Sequence, residues 1–476
     1  TNVNTILGKT TGVVTATVSA DTASNLNSAL TNATSTDALT LTVNGATATA
    51  SDLISLDGKT NIAISVTATS VSGTFTDLNN IYVTNVSNYS NLGDENITIT
   101  DTQSATNVNT ILGKTTGVVT AIVSADTAAN LNSALTNATS TDALTLTITD
   151  TSLSSLTNLL ALDTKTSVAV NASSITSITE TYANLNTAYS SAGISGLGNE
   201  AVTITDTQSA TNVNTILGKT TGVVTATVGT DTAANLNSAL TNATTGTDVL
   251  TLTVNGATAQ ATDLIDLDGK TSVDVSVTAT AVSGTFANLN TVYVTNAANY
   301  ANLGDENVTI TDTTSASNVN IILGATSGNV TAIVTADTAA ALNTALTNAT
   351  TGTDALTLTI NDTTLTSVSD LLALDGKTNV AVNASSVNSM TDTYTNLNLV
   401  YAANTANTIS GLGNEAVIIS DTTSASNVNT IANKTSGAVT ATITTGAVAS
   451  TLSALTNVDG NDEITFTTND TSVDAS

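Results

Sequence analysis

Residues 1–16 read TNVNTILGKTTGVVTA, and this phrase returns at a nearly constant spacing along the chain. It begins again at Thr106 and at Thr211, and looser copies begin at Ser317 and Ser426. A recurring phrase of this kind indicates an array in which each unit buries its apolar face against its neighbours. We therefore expect one continuous solenoid, a segment of a longer chain, built from repeats 1 to 4 (1–105, 106–210, 211–316 and 317–425) and a partial repeat 5 (426–476).

The composition limits the chemistry that the chain can perform. It has 476 residues, 40% of them hydrophobic but only 2% aromatic, with no His and no Cys. A core must therefore be built from Val, Ile, Leu and Ala. Without His and Cys, nucleophilic triads of the Ser-His-Asp or Cys-His type are excluded. We predict that the chain is not an enzyme and has no catalytic residue.

The charge balance limits the partners. Acidic residues outnumber basic ones, and the formal net charge is -29. Binding to nucleic acid requires clustered Lys or Arg against phosphates, which eight lysines spread along the chain do not supply. The sequence also has no apolar run of about 18 residues, the length needed to cross a bilayer. We expect neither nucleic-acid binding nor membrane insertion in this segment.

Periodicity predicts the local structure of repeat 1. Strands are expected where apolar and polar residues alternate, at 14–18, 39–43, 62–66 and 97–100. Helices are expected between them, where apolar residues recur at i, i+3 and i+4. The first of these follows Asp21, a predicted N-cap, and the others begin near Ser51 and near Phe75. Tyr82 and the other tyrosines are expected to pack under the long third helix.

Alternating strands and helices predict the fold class. Parallel strands need crossover connections, and such crossovers are right-handed in nearly all proteins. We predict an α/β fold, a right-handed βα solenoid of the leucine-rich-repeat kind. It would carry a parallel sheet on one face, short helices on the other, and one strand per about 26 residues.

Charged residues select between one and two strands per coil. Lysines follow the first and third helix of a repeat, and acids follow the other two. With one strand per coil, opposite charges alternate along one exposed edge, whereas two strands per coil would place Lys on Lys. We therefore prefer one strand per coil, with the edge charges Lys9, Asp37, Lys59, Glu95 and Lys114.

The outward side of the predicted sheet is rich in threonine. The expected outward residues are Thr15, Thr17, Thr40, Thr42, Thr98 and Thr100. Rows of T-x-T pairs resemble the ice-binding face of antifreeze solenoids. In every repeat, however, the third strand offers Ala63 and Ser65 or their equivalents, which interrupts the row. A binding face for ice is therefore the weaker interpretation.

Acidic loops raise the question of calcium. The repeats alternate, because repeats 1 and 3 carry the loop GDEN and repeats 2 and 4 carry GLGNEA. Only oxygen ligands are available in this chain, and Ca²⁺ prefers oxygen. The candidate ligands are Asp94, Glu95, Asp101, Asp305 and Glu306. A solvated turn is the competing interpretation, so we assign no cofactor and no definite metal site.

The phrases LDGKT (56–60), TTGVVTA (10–16) and GISGLGNEAVTITDT (193–207) resemble those of very large repetitive surface proteins of bacteria, especially cyanobacteria. The resemblance extends over essentially the whole chain. It implies a secreted adhesin, a cell-surface fibre or a sheath component. The chain departs from calcium-binding toxin-like repeats, because the nonapeptide GGxGxDxUx is absent.

These observations lead to one functional hypothesis and one alternative. We expect an extracellular or cell-surface structural repeat protein that forms a rod, filament, sheath or surface layer by coil stacking and self-association. The alternative is an adhesin or binding module that recognises glycan, mineral or, less readily, ice through the Thr-rich face.

Overall fold

The computed structural model describes residues 2–243, 247–349 and 353–473. The chain forms two compact units, Thr1–Thr227 and Val228–Ser476. Each unit is made of short helices that alternate with short parallel strands. The predicted α/β fold class, a βα repeat, is therefore confirmed within each unit.

The α-helices of the first unit are α1 to α9, in chain order Asn2–Leu7, Ala23–Ala29, Ala50–Asp57, Phe75–Asn79, Ala105–Leu112, Ala128–Ala134, Thr157–Asp163, Tyr182–Ser190 and Ala210–Leu217. Those of the second unit are α10 to α18, namely Ala233–Ala239, Ala261–Asp268, Phe286–Asn290, Ala316–Leu323, Ala339–Ala345, Ser369–Asp375, Tyr394–Thr405, Ala425–Ala432 and Val448–Ala454. Helices α4 and α12 continue as π-helical turns, Asn80–Thr84 and Thr291–Thr295, and then as 3₁₀ turns, Val86–Asn88 and Ala297–Asn299.

The strands of the first unit are β1 to β16, in chain order Thr15–Thr17, Ala38–Thr40, Thr42–Val43, Thr47–Thr49, Ile64–Val66, Ser70–Gly73, Tyr89–Ser90, Asn96–Ile99, Val119–Ile122, Ala143–Thr145, Ser152–Leu153, Val170–Asn171, Ser177–Glu180, Ile194–Ser195, Ala201–Ile204 and Val224–Thr227. Those of the second unit are β17 to β32, namely Val249–Thr251, Thr253–Val254, Ala259–Gln260, Val275–Val277, Ala281–Gly284, Tyr300–Ala301, Asn307–Ile310, Val330–Ile333, Ala355–Thr357, Thr364–Leu365, Val382–Asn383, Ser389–Asp392, Ile409–Ser410, Ala416–Ile419, Val439–Gly446 and Glu463–Thr468.

Strand pairing shows that each turn of the chain contains one helix. All the strand pairs described are parallel, and Cα partners lie 22 residues apart at Thr98 and Thr120 and 27 apart at Ser389 and Ala416. A single helix falls between the partners of each pair, for example α5 between Thr98 and Thr120. We call one helix with the strand segments that follow it a coil. One helix per coil agrees with the spacing predicted from the sequence.

Many coils carry two strand segments where the sequence predicted one. In the first unit, β3, β5 and β7 form one sheet, and β4, β6, β8, β9 and β10 form another. The chain bends between β5 and β6 at Thr67–Thr69, so a single coil contributes to both sheets. In the second unit, β18, β20 and β22 repeat the first sheet, and β19, β21, β23, β24 and β25 repeat the second.

The core is thin and aliphatic, as the composition predicted. In β8, Ile97 and Ile99 are buried while Thr98 between them is exposed. Leu53 and Leu56 of α3 are fully buried, and they supply the helical half of the same core. The alternation of burial along the strand is the period-two pattern expected of a sheet with one covered face.

The helix caps correct one local prediction. Thr22, not Asp21, is the N-cap of α2, because its side chain accepts the amide of Asn25. Asp21 lies one residue earlier, where its carboxylate accepts the amide of Thr22 and the side-chain amide of Asn25 at 2.8 Å each. These bonds lower the pKa of Asp21, with the side chain of Asn25 the larger cause. Thr is as able as Asp to bond the free amides of a first turn.

The glycine of the KTTG phrase lies where two coils approach closely. A Cβ placed on Gly117 would lie 2.3 Å from the carbonyl oxygen of Glu95 in the preceding coil. Gly222, Gly328 and Gly437 meet Glu200, Glu306 and Glu415 in the same way. Gly12 has the same flanking sequence, but its nearest such neighbour is the hydroxyl of Thr10 at 3.4 Å.

We expect Gly117→Ala to lower the free energy of unfolding of the first unit by about 1–3 kcal/mol, the usual cost of overpacking. Gly12→Ala is the matched control and should change it by less than about 0.5 kcal/mol. Urea titration of both variants, followed by circular dichroism, measures the difference. Equal midpoints for the two variants would show that this contact does not constrain the fold.

Candidate functional site

The predicted threonine face is divided by the structure. Thr15, Thr17 and Thr40 lie in the β1–β2 pair, where Thr17 is the partner of Thr40. Thr42 lies in a second sheet, half-buried beside Ser65. Thr98 lies in a third sheet, and Thr100 follows the end of β8 as an exposed residue. The six residues therefore do not form one surface.

A different hydroxyl row crosses the five-stranded sheet of the first unit. Its Cα partners, in strand order, are Thr49, Ser72, Thr98, Thr120 and Ala143. The second unit repeats the end of this row as Ser283, Thr309, Thr331 and Ala355. Thr98 and Thr120 are exposed, so hydroxyl groups of adjacent coils lie side by side in solvent.

The lysines were expected to pair with acidic loops, and Lys59 does not. Its ammonium group donates to the carbonyl of Leu30, the C-cap residue of α2 in the preceding coil, at 2.9 Å. Lys165, Lys270 and Lys377 donate to Leu135, Leu240 and Leu346 in the same manner. A cation at a helix C-terminus is stabilised by the helix dipole and by the free carbonyls there. Lys9 and Lys114 are exposed.

Burial lowers the pKa of Lys165. Its ammonium group donates to two carbonyls, those of Asn132 and Leu135. These lysines therefore join one helix end to the next coil, a structural role that the sequence pattern did not indicate.

Asp37 was expected as an exposed edge charge, and this is wrong, since it is only 4% exposed. One carboxylate oxygen accepts the amide of Val14 in the preceding coil at 2.9 Å. The other accepts the amide and the hydroxyl of Thr34. The bond from Val14 is the main cause that lowers the pKa of Asp37, against the opposing effect of burial. Asp142 is its equivalent in repeat 2, and it accepts from Val119 and Thr139.

Glu95 was also expected at the exposed edge, and it too is buried, at 2% exposure. Its Oε2 accepts the amide of Gly93 at 2.9 Å and the hydroxyl of Tyr82 at 3.2 Å. Tyr82 is buried, and it lies within the π-helical turn that continues α4. Tyr89 is buried in strand β7, and Tyr182 is half-buried at the start of α8. Glu200, Glu306 and Glu415 are buried in the same position and accept from Tyr189, Tyr293 and Tyr401.

Acidic and Lys-bearing loops alternate from coil to coil, and threonine hydroxyls link each Lys-bearing loop to the acidic loop before it. Thr60, which follows Lys59, donates its hydroxyl to the carbonyls of Leu39 and Asp37 in the preceding coil. Thr115, which follows Lys114, donates to the carbonyl of Glu95 at 2.6 Å. The register inferred from charge therefore has a hydrogen-bonded basis.

The remaining calcium candidates have identified positions. Both carboxylate oxygens of Asp101 accept hydrogen bonds, one from the amide of Phe75 and the other from the side-chain amide of Gln103. Asp94 and Asp305 are exposed beside the buried Glu95 and Glu306. Within residues 2–243, 247–349 and 353–473, no three acidic side chains are grouped closely enough to hold a metal ion by themselves.

The tyrosines that contact the buried acids have perturbed titration. Burial, reinforced by the negative charge of Glu95, raises the pKa of Tyr82 far above its ordinary value. The same causes raise the pKa of Tyr293 and Tyr401. Tyr89 and Tyr300 are shifted upward by burial and by Asp57 and Asp268.

We also searched the chain for membrane-spanning helices and compared it with known proteins. In the part of the chain that the structure describes, no helix is both long and apolar enough to cross a membrane. The chain matches no protein-family model, and no curated protein shows significant similarity to it.

We expect Asp142→Ala to lower the free energy of unfolding by about 1–3 kcal/mol. Three donors, the amide of Val119 and the amide and hydroxyl of Thr139, would lose a buried acceptor. Asp142→Asn keeps one acceptor oxygen and should cost less. Asp274→Ala, at an exposed acid, is the control and should stay within about 0.5 kcal/mol of the parent. Thermal melts of the three variants measure the order, and an Asp142→Ala melt equal to that of Asp274→Ala would contradict the buried link.

Alkaline pH should destabilise the fold. A folded-state pKa raised above the unfolded value of about 10 stabilises the protein below that pH, and this stabilisation is lost as pH rises further. Tyrosinate absorbance at pH about 11 should be lower in the folded chain than in the urea-unfolded chain. Equal tyrosinate absorbance in the two states would contradict the burial of Tyr82 and its equivalents.

Proposed function

We propose that the chain is a structural repeat protein of the cell surface, which forms a filament, sheath or surface layer by self-association. The observation that carries this proposal is the repetition of structural links from coil to coil. Buried Asp, capping Lys and Thr hydroxyls each recur at equivalent positions and hold adjacent coils together. The buried Glu recurs as well, and it accepts from a Tyr of its own coil. Residues that repeat in this way serve the scaffold, and they leave few polar groups free for catalysis.

The surface chemistry supports association between copies. Exposed hydroxyls of adjacent strands, such as Thr98 and Thr120, form a low-charge row on the sheet. Such a row can pack against a second copy through hydrogen bonds with little desolvation of charge. The net charge of -29 opposes association at low salt, so added salt should favour it.

The adhesin hypothesis uses the same row in another way. A row of hydroxyls with Cα positions in register across strands presents regularly spaced donors and acceptors to a glycan or mineral surface. In this case the purified chain would remain monomeric and would bind its ligand saturably.

Electron microscopy and sedimentation velocity of the purified chain, at low and at physiological salt, test the proposal. We expect filaments or sheets and a sedimentation coefficient that rises with concentration and with salt. The double substitution Thr98→Glu with Thr120→Glu should suppress the assembly, because the carboxylates of two copies would then repel each other where their rows meet. Thr106→Glu, which is exposed in the first turn of α5, is the control and should assemble normally.

Monomers at all salt and protein concentrations would overturn the structural role. Saturable binding of monomers to a glycan array or to mineral would then establish the adhesin. If the Thr98→Glu, Thr120→Glu variant assembles as well as the Thr106→Glu control, self-association takes place through another surface.

A further inference from the structure

Glu95 and Glu306 each have a buried carboxylate oxygen without a hydrogen-bond partner in the structure. Both residues are almost fully buried, at 2% and 3% exposure, and in both the unpartnered atom is Oε1. The two known donors, the Tyr hydroxyl and the Gly amide, both bind Oε2. Leaving a buried charged oxygen unpaired is costly, so the same defect in two separate copies requires an explanation.

Repeats 2 and 4 show that the defect is not inherent in this fold. Glu415 accepts from Tyr401 through Oε1 and from the amides of Gly413 and Asn414 through Oε2. Glu200 likewise uses both oxygens. The two kinds of repeat differ in the residue immediately before the glutamate. Repeats 1 and 3 have Asp94 and Asp305 there, and repeats 2 and 4 have Asn199 and Asn414.

Each unsatisfied glutamate lines a surface cavity together with its neighbouring aspartate. Site A, of about 320 Å³, is lined by residues 66–69, Asn91, Asp94 and Glu95. Site B, of about 390 Å³, is lined by residues 277–280, Asn302, Asp305 and Glu306. The two sites have the same lining at equivalent positions, one in each compact unit.

The asparagine of each site is held in a restricted conformation. Asn91 and Asn302 have φ of 62° and 58°, in the left-handed region that non-glycine residues seldom adopt. Their side-chain nitrogens donate to Ser65 and Ser276 at 2.8 and 2.9 Å. The amide nitrogen is thus committed to the serine, which leaves the amide oxygen as the free end of the side chain.

We propose that sites A and B each bind one divalent cation, Ca²⁺ in preference to Mg²⁺. The buried Oε1 of the glutamate and the carboxylate of the aspartate supply the negative charge. Ca²⁺ accepts irregular sets of carboxylate, amide, main-chain and water oxygens, whereas Mg²⁺ requires near-octahedral geometry and retains its water. The cation gives Oε1 the partner that it lacks and offsets the repulsion between two adjacent carboxylates.

Two carboxylates per site imply modest affinity. Calcium sites of extracellular modules have dissociation constants of about 10⁻⁴ to 10⁻³ M, and a site with few charged ligands belongs in that range. This inference does not depend on the proposed assembly, since a monomer would bind equally.

Titration calorimetry and terbium luminescence of the full chain test the proposal. We expect two Ca²⁺ per chain. Tb³⁺ should occupy the same sites with luminescence sensitised by Tyr82 and Tyr293, whose hydroxyls bond the same glutamates, and Ca²⁺ should displace it. Tyr82→Phe with Tyr293→Phe should abolish most of the luminescence and leave the calorimetric stoichiometry at two.

The decisive variants convert the sites to the chemistry of repeats 2 and 4. Asp94→Asn with Asp305→Asn should remove both sites, and Asp94→Asn alone should leave one. Asp150→Asn with Asp362→Asn removes the same number of charges in repeats 2 and 4 and should leave two sites. Circular dichroism of each variant verifies the fold.

Three results would overturn the proposal. The first is no calorimetric or luminescent signal with up to several millimolar Ca²⁺, the weak end of the expected range, which would mean that water satisfies Oε1. The second is undiminished binding in the Asp94→Asn, Asp305→Asn variant. The third is an equal loss in both double variants, which would show diffuse attraction to an acidic surface.

Discussion

The buried acid that precedes a strand is the contact on which the rest of the structure depends. Parallel strands leave main-chain groups unpaired where each coil enters its sheet, and an unpaired buried amide is costly. Asp37 pairs such amides and thereby links three consecutive coils. Its carboxylate accepts the amide of Val14 from the coil before, and its carbonyl accepts the amide of Asn61 from the coil after. With these links, a thin core of small aliphatic residues is sufficient to hold each coil against the next.

The same requirement explains how acids such as Asp37 are buried with hydrogen-bond donors as their partners. A buried carboxylate that accepts two or three main-chain amides needs no counter-ion, because hydrogen bonds to the charged form stabilise it. The lysines are then available for the helix C-termini, where Lys59 and Lys165 contact carbonyls. The positions of Asp37 and Lys59 in the sequence therefore mark hydrogen-bonding positions in the coil.

The alternating repeats differ in the hydrogen bonding of their buried glutamates. In Glu200 and Glu415 both carboxylate oxygens are satisfied, since a Tyr hydroxyl binds Oε1 and main-chain amides bind Oε2. Glu95 and Glu306 occupy the same place with one oxygen unused and an aspartate alongside. One scaffold thus carries two kinds of loop, and a repeat protein can vary its loops without altering its core.

Sequence alone determined the repeat, the fold class, one helix per coil and the aliphatic core. These properties follow from local periodicity, which side-chain positions on a strand or helix dictate directly. The short strands β4, β6 and β7 were missed, although Thr47–Thr49 and Ser70–Ser72 alternate, because two- to four-residue segments carry too little pattern to stand out from a Thr-rich background.

Only the tertiary structure decided which charges are buried and which oxygens are satisfied. Asp37 and Asp94 look alike in sequence, as acids in polar loops. Burial depends on which coil packs above a loop, and whether each carboxylate oxygen has a partner depends on single donors such as the hydroxyl of Tyr401. The predicted threonine row was divided among sheets for the same reason, since β2 and β3 are separated by Leu41 alone and pair with strands of different sheets. These are contacts between residues some 20 to 30 positions apart, and local periodicity contains no information about them.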